Sequence, residues 1–344
     1  MATIDPGVRE DARQDQPPVP ALRLPAARRL RHFAALDLGT NNCRLLIARP
    51  SADGFQVVDA FSRVVRLGEG LVETGRLSDQ AMDRAVAALS VCAEKLQRRT
   101  LAEVRSVATE ACRRASNGPA FVERVFRETG LALDVITPAE EARLAVIGCQ
   151  TLIDNAANQT LVFDIGGGST EVVLLERVEP GSPAHRRSLD AGLGETLRIR
   201  GWSSIPWGVV SLAETAGPDG GTATARLEAF FTMKSQVARH LADLRRVAGR
   251  DLQLVGASGT VTTLASVLMG QTVYNRREVD GCWSPTRGLR DLGHRLAAMS
   301  AEERAAVPGI GGDRAGLVVA GAAILEALLD VSRTDRIRVA DRGL

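Results

Sequence analysis

The sequence predicts an α/β protein of two domains with related folds, and three observations support this. The chain has 344 residues, which is long enough for two domains that each bury a core. Apolar, strand-like runs alternate with segments of helical periodicity along most of its length. A pattern of strand, turn and strand occurs twice, with Asp37 and Asp164 at matching positions. We therefore expect duplicated halves that face one another across a ligand cleft.

The first half begins with two predicted strands joined by a tight turn, in FAALDLGTNNCRLLIARP. A third strand is expected within GFQVVDAFSRVVRLGEGL. Helical spacing then starts after Ser78, an expected N-cap, and a short strand is expected at Val104–Thr109. We expect a helix at GPAFVERVFRETG, a strand at LALDVIT, and a helix that begins at Pro138.

The second half restarts the same pattern at Thr160, with two strands expected in TLVFDI and EVVLLERVE around the turn GGGST. Helices are expected within TARLEAFFTMKSQVARHLADLRRVAG. The segment LQLVGASGTVTTLASVLMG predicts a buried strand, a loop of small residues and a helix that begins near Thr260. A single helix at DRAGLVVAGAAILEALLDV and a strand at RIRVAD are expected to end the chain.

Composition and charge exclude several classes of protein. The net charge of +2 gives no general reason to bind nucleic acid or an anionic membrane. No window reaches the ~18 apolar residues of a membrane span. Residues 1–31 hold prolines and charges without a secretory apolar core, so we expect a disordered N-terminal extension. The five cysteines form no Cys-x-x-Cys pattern, which favours reduced thiols and a cytoplasmic location.

Two predicted turns have the composition of phosphate-binding loops. Glycine lets a ligand approach the backbone, so consecutive glycines expose N–H donors. The second loop offers Gly166, Gly167 and Gly168, with the hydroxyls of Ser169 and Thr170. The first loop offers Gly39, Thr40, Asn41 and Asn42. Hairpin turns also use glycine routinely, but two donor-rich turns that each follow an aspartate favour phosphate binding.

A third loop of small residues precedes a predicted helix and contains Ser258, Gly259 and Thr260. The free N–H groups of a helix N-terminus favour an anion, although a compact strand-to-helix turn would use the same residues. None of the three loops matches the Walker A or the dinucleotide-binding motif.

Acidic and basic side chains beside these loops are candidates for chemistry. Asp37, Asp164 and Glu171 could hold a divalent cation, although an aspartate beside a turn often only caps backbone N–H groups. Glu141 lies between the two copies of the repeat, where an acid can act as general base on water; acids in a first turn also complement the helix dipole. Arg113 could offer a fork to phosphate oxygens or be a solvated surface residue.

The order and spacing of DLGTNN, EEARL, DIGGGSTE and GASGTVTTLA resemble those of a known family. This is the exopolyphosphatase and guanosine pentaphosphate phosphohydrolase (Ppx/GppA phosphatase) family, of the actin, sugar kinase and heat-shock chaperone ATPase superfamily. The resemblance extends from about Phe33 to Leu344 and fits the short form, without the C-terminal HD-like domain. It implies two duplicated ribonuclease H-like domains, at 32–143 and 144–344, with the active site in the cleft between them.

The resemblance also implies roles for individual residues. Glu141 matches the catalytic base and Arg113 an arginine that contacts substrate phosphates, while Asp164, Ser169 and Glu171 resemble residues that position metal and water. It further implies Mg²⁺ or a similar cation, polyphosphate or guanosine pentaphosphate (pppGpp) as substrate, and a homodimer. Two alternatives stay open: a kinase of the same superfamily that uses ATP or ADP, and a non-enzymatic scaffold regulated by nucleotide.

Overall fold

The computed structural model describes residues 31–51, 54–179, 188–216, 220–249 and 252–342. Within these ranges the chain forms two α/β domains, each built on one sheet. Of the predicted N-terminal extension, residues 1–31, only Arg31 lies within the described residues. None of the described helices has both the length and the apolar character that crossing a bilayer requires.

The first sheet has the strand order β3-β2-β1-β4-β5 among the described residues. The first three strands form the predicted antiparallel meander, and β4 pairs parallel to β1. Its strands are β1 (His32–Leu38), β2 (Asn42–Ser51), β3 (Gly54–Val64), β4 (Leu101–Ala108) and β5 (Asp134–Val135). The helices of this domain are α1 (Leu71–Thr74), α2 (Asp79–Gln97), α3 (Glu110–Arg114) and α4 (Gly118–Thr129). Ser78 caps α2 as expected, since its side chain accepts from the amide of Ala81.

The second sheet has the order β10-β11-β9-β6-β7-β8. Its strands are β6 (Gln159–Ile165), β7 (Thr170–Arg177), β8 (Leu197–Ile205), β9 (Gln253–Ala257), β10 (Trp283–Pro285) and β11 (Arg336–Ala340). The helices from the domain junction onward are α5 (Pro138–Cys149), α6 (Val209–Thr215), α7 (Ala223–Ala238), α8 (Ala242–Val247), α9 (Gly259–Leu268), α10 (Arg276–Val279), α11 (Thr286–Ala298), α12 (Ala301–Ala305), α13 (Gly312–Ala315) and α14 (Val318–Leu329). Short 3₁₀ turns occur at Gln150–Leu152, Ser188–Asp190 and Arg239–Leu241.

The two sheets share one topology, which confirms the predicted duplication. In each, an antiparallel meander comes first and its first strand pairs parallel to the fourth, as in β1 with β4 and in β6 with β9. Strand β11 then extends the second sheet parallel to β9, as β5 extends the first parallel to β4. Strand β10 is an addition at the edge of the second sheet. This is the ribonuclease H-like arrangement expected for each domain.

Helix α5 (Pro138–Cys149) connects the halves and packs on β6, β7 and β8. The expected domain boundary, between residues 143 and 144, therefore falls inside a helix that contributes to the core of the second sheet. Thr137 caps α5 by accepting from the amide of Glu140, and Pro138 follows directly. This fixes the first turn of α5, which carries Glu141, at the junction of the domains.

One predicted helix is divided in the structure. The segment DRAGLVVAGAAILEALLDV was expected to be a single helix, but α13 ends before Gly316 and α14 begins at Val318. Helix α14 is nearly all buried in the core of the second domain, whereas most of α13 lies near the surface. The break lets α13 and the glycines before it line the cleft between the domains.

Candidate active site

A cleft of about 480 Å³ lies between the domains and is lined from both sides by the predicted loops. The predicted residues that line it are Asp37, Gly39, Thr40, Asn41, Asn42, Glu141, Asp164, Gly166, Gly167, Gly168, Ser169, Glu171, Ser258, Gly259 and Thr260. The structure therefore brings together residues that are more than 200 positions apart in the sequence.

The first and second loops are built alike and touch each other. Each is closed by one backbone hydrogen bond of 2.9 Å, from the amide of Gly39 to the carbonyl of Asn42 and from the amide of Gly166 to the carbonyl of Ser169. A Cβ atom at Gly167 would lie 2.9 Å from Cβ of Thr40. The loops of the two domains therefore lie in van der Waals contact, which a side chain at Gly167 would disrupt.

The carbonyl groups of the second loop accept hydrogen bonds from the start of α6. The amides of Val209 and Val210, at the start of α6, donate to the carbonyls of Gly166 and Gly167 at 3.0 and 2.8 Å. The hydroxyl of Ser211 donates to the carbonyl of Gly168 at 3.1 Å. Within the described chain, the amides of Gly167 and Gly168 have no acceptor. Backbone donors are thus available to an anion while the acceptors are occupied.

The carbonyl groups of the first loop are satisfied in the same way by the segment after β3. The amide of Gly68 donates to the carbonyl of Thr40 at 2.9 Å, and the amides of Val65 and Arg66 donate to that of Asn41 at 2.8 and 3.0 Å. In both domains, then, residues that follow the third strand of the sheet donate hydrogen bonds to the carbonyls of the loop between the first two strands. The duplication extends to the support of the loops.

Gly208 is essential to this support because it lies directly against the second loop. A Cβ atom there would lie 2.4 Å from the carbonyl carbon of Gly167 and 2.5 Å from the amide nitrogen of Gly168. We therefore predict that Gly208→Ala displaces the loop, lowers stability by roughly 1–3 kcal/mol and reduces phosphate affinity. Thermal unfolding and the dissociation constant for pyrophosphate measure this. Gly201→Ala, where a Cβ atom meets nothing within 4 Å, is the control; equal effects of both variants would contradict the role of Gly208.

Asp37 and Asp164 occupy matching positions, but their cross-strand partners differ in charge. Asp37 pairs with Arg44 across β1 and β2, whereas Asp164 pairs with Glu171 across β6 and β7. At this level of the sheet, the first domain therefore has one acidic and one basic side chain, and the second domain has two acidic side chains. Negative charge accumulates on the side of the second loop.

The pKa values of these acids are raised mainly by burial and in part by their neighbours. The pKa of Asp37 is raised to about 7 by burial, with smaller contributions from Glu141 and Asp164 and against the lowering effect of Arg44. Burial also raises the pKa of Glu171 well above its usual value, helped by Glu141 and opposed by hydrogen bonds from Ser169 and Ser204. One oxygen of Asp37, Oδ1, is buried and has no hydrogen-bond partner among the residues that the structure describes. A cation in the cleft would lower both pKa values and would give Oδ1 of Asp37 a partner.

The predicted metal ligands Asp37, Asp164 and Glu171 all line the cleft, and their role as ligands stays a prediction. In the described ranges, no group of three or more His, Cys, Asp or Glu side chains is already arranged to hold a metal ion. One carboxylate oxygen of Glu171 accepts a hydrogen bond from the hydroxyl of Ser204 at 2.8 Å. Proteins usually bind Mg²⁺ through one or two carboxylates, and substrate phosphates complete the coordination. The carboxylates of Asp37 and Asp164 fit this description.

Glu141 lies at the wall of the cleft and is bound to Arg113. The Nη2 atom of Arg113 donates to Oε2 of Glu141 at 2.8 Å, and its Nη1 atom donates to the carbonyl of Ile136 at 2.6 Å. Burial raises the pKa of Glu141 and Arg113 lowers it, with a net rise. Glu141 is thus a partly buried carboxylate of increased basicity beside the loops, as a general base requires.

Comparison with known proteins identifies the architecture. The model of the Ppx/GppA phosphatase family matches residues 46–344. The chain belongs to this family. Among solved structures, the Ppx/GppA family member of Aquifex aeolicus is 28% identical with a TM-score of 0.70, over 91% of this chain and 94% of that one. An exopolyphosphatase from Cytophaga hutchinsonii is 25% identical with a TM-score of 0.77, over 91% and 95% of the two chains.

Two predicted residues of this Ppx/GppA phosphatase family member are not among the described residues that line the cleft, and their phosphate contacts stay a prediction. Thr170 is fully buried, and its hydroxyl donates to the carbonyl of Trp207 at 2.7 Å. Arg113 is not among the described residues that line the cleft, because its guanidinium is held by Glu141 and Ile136. Thr260 lines the cleft, but its side chain also packs against Gly321 of α14.

Several residues of the site were missed by the sequence analysis. Glu110 and Arg44 line the cleft, as does Arg314, whose Nη1 atom donates to the hydroxyl of Thr263 at 3.0 Å. Arg44 could have been found from its position opposite Asp37 in the predicted hairpin. The segment GIGGDR, before α14, is rich in glycine but was not considered as a loop of the site.

Proposed function

We propose that the protein hydrolyses the terminal phosphoanhydride of inorganic polyphosphate or of pppGpp, by in-line attack of water. The observation that carries the proposal is the pair of loops in contact across one cleft, with Glu141 at its wall. Phosphoryl transfer depends mainly on positioning and on electrostatic stabilisation. Paired donor loops with a carboxylate beside them supply both.

The terminal phosphate is expected to bind the free amides of Gly167 and Gly168. The hydroxyl of Thr40 is buried beside Gly168 and has no hydrogen-bond partner in the described part of the chain, so it adds a donor from the other domain. The preceding phosphates would extend along Ser258 and Gly259, at the start of α9, and toward Arg314. Glu141 would accept the proton of the attacking water.

We propose Asp37 and Asp164 as the protein ligands of a divalent cation, with Mg²⁺ as first choice. The Oδ1 atom of Asp37 is buried and lacks a hydrogen-bond partner within the described ranges, and the pKa of its carboxyl group is raised. Both observations support a cation at this position. When bound, the cation neutralises charge on the phosphates and on the departing oxygen. Ser169 and Glu171 would hold the second loop and its water in place around that site.

Polyphosphate is our first substrate and pppGpp the second, because the solved structure from Cytophaga hutchinsonii is named an exopolyphosphatase. The test is phosphate release from long polyphosphate, tripolyphosphate, pppGpp and ATP, measured in parallel with Mg²⁺. We expect release from at least one of the first three without any acceptor molecule. Consumption of ATP alone, and only with an acceptor present, would replace the hydrolase with a kinase. The proposed homodimer is checked separately by light scattering.

A further inference from the structure

Arg113 is shared by two carboxylates. In addition to its bond with Glu141, its Nη2 atom donates to Oε2 of Glu110 at 2.9 Å. The side chains of Arg113, Glu110 and Glu141 are 16%, 18% and 13% exposed, so solvent screens them only partly. Because one guanidinium serves two acids in a partly buried site, the orientation of each acid depends on the other.

Glu110 also connects this group to the opposite domain. A Cβ atom at Gly168 would lie 3.0 Å from Cγ of Glu110, so the stem of Glu110 packs on the second loop. Contacts therefore run from Gly168 to Glu110, then to Arg113, and finally to Glu141. These contacts join the loop that binds the terminal phosphate to the carboxylate that activates water.

A direct role of Glu110 in phosphate binding would be unfavourable, because two negative groups at close range in a site of low polarity repel strongly. The carboxylate is instead directed at Arg113, its only hydrogen-bond partner among the described residues. The side chain of Glu110 lines the cleft, contacts the second loop and accepts a hydrogen bond from Arg113, which also binds Glu141. It is therefore placed to control the position of Glu141.

We propose that Glu110 is a positioning residue, which holds Arg113 and thereby fixes Glu141 relative to the phosphate loop of the other domain. The inference rests on the proposed function, in which Glu141 is the base. It also gives Arg113 a different task from the phosphate contact expected from the sequence. Loss of Glu110 should then impair the chemical step more than substrate binding.

The test is the steady-state kinetics of Glu110→Ala and Glu110→Gln. We expect Glu110→Ala to lower kcat by about tenfold or more, since misplacing a catalytic group by ~1 Å can cost about 10²-fold. KM should stay within about threefold of the wild-type value. Glu110→Gln keeps the packing on Gly168 and an acceptor for Arg113, so its loss of kcat should be smaller. A Glu110→Ala variant with raised KM and unchanged kcat would overturn the inference.

The matched control is Glu128→Ala. Glu128 and Asp83 share Arg124 at 2.8 and 2.7 Å on the surface of the first domain, away from the described cleft. This variant removes the same charge from the same kind of arrangement and should leave kcat and KM unchanged. Thermal unfolding of all variants separates a loss of stability from a loss of positioning.

A double-mutant cycle shows whether Glu110 acts through Arg113. In an Arg113→Gln background, Glu110→Ala should lower kcat by less than about twofold, because coupled residues are not additive. A full additional loss would mean that Glu110 acts directly, and the inference would be wrong.

A crystal structure of Glu110→Ala provides a readout that needs no turnover. We expect the contact between Arg113 and Glu141 to change and the carboxylate of Glu141 to move relative to Gly168. An unmoved Glu141 would contradict the inference even if the wild-type protein hydrolysed every substrate. Conversely, a wild-type protein that released no phosphate would refute the proposed function, while this structure would still decide whether Glu110 positions Glu141.

Discussion

Glu141→Gln is expected to reduce phosphate release by about 10²–10⁴-fold, the usual contribution of a general base. The substitution preserves the shape of the side chain and an acceptor for Arg113, which donates to Glu141 at 2.8 Å. It removes the negative charge of Glu141, and with it the ability to take a proton from water. Because binding of the phosphates depends on the loops, KM should change far less than kcat. Initial rates on the best substrate measure both.

Glu140→Gln is the matched control on the same helical turn. Arg143 and Arg105 hold the pKa of Glu140 down at about 2, so this neighbour is a weak base held in ion pairs. Its substitution should leave kcat nearly unchanged. The assignment of the base fails if Glu141→Gln retains activity within about threefold of the wild type, well short of a general-base contribution.

Asp37→Asn is expected to stabilise the metal-free protein at pH 8 and to abolish the response to Mg²⁺. The pKa of Asp37 rises from 3.8 to about 7 on folding, so its carboxylate costs stability as pH rises between these values. Above pH 7 this cost reaches an upper limit of about 4 kcal/mol. The neutral amide avoids it. Thermal unfolding at pH 5 and pH 8, without and with Mg²⁺, measures the effect, which should be smaller at pH 5.

Asp59→Asn provides a control of opposite sign. Lys95 and Arg99 bind Asp59 at 2.9 and 3.3 Å and lower its pKa. That carboxylate therefore contributes stability at pH 8, and its loss should lower the unfolding temperature, with no change in the response to Mg²⁺. If Asp37→Asn destabilises the metal-free protein like Asp59→Asn, or if Mg²⁺ stabilises it as much as the wild type, Asp37 is not a ligand.

The sequence predicted most of the framework because the signals are local. Apolar runs on either side of GTNN and GGGST predicted both hairpins, and the repeat of Asp37 and Asp164 predicted two related domains. Family motifs then located the cleft. Helical spacing and Ser78 predicted the start of α2, and the helix expected near Thr260 begins at Gly259.

The residues that support the site could not be predicted in this way, since they act across long separations. Gly208 presses on the second loop from a turn after β8, and the segment after β3 holds the first loop. The engagement of Arg113 depends on Glu110 and Ile136 meeting in space. Helix α14 begins only at Val318 and is buried in the core of the second domain, whereas α13 lies at the cleft. The periodicity of the sequence does not reveal this break.

The proposed function requires attack by water at the terminal phosphorus. Hydrolysis of tripolyphosphate in water enriched in ¹⁸O, followed by mass spectrometry of the products, tests this directly. We predict that the released orthophosphate gains one ¹⁸O atom and that the pyrophosphate gains none. Label in the pyrophosphate, or orthophosphate without label, would contradict the proposed function.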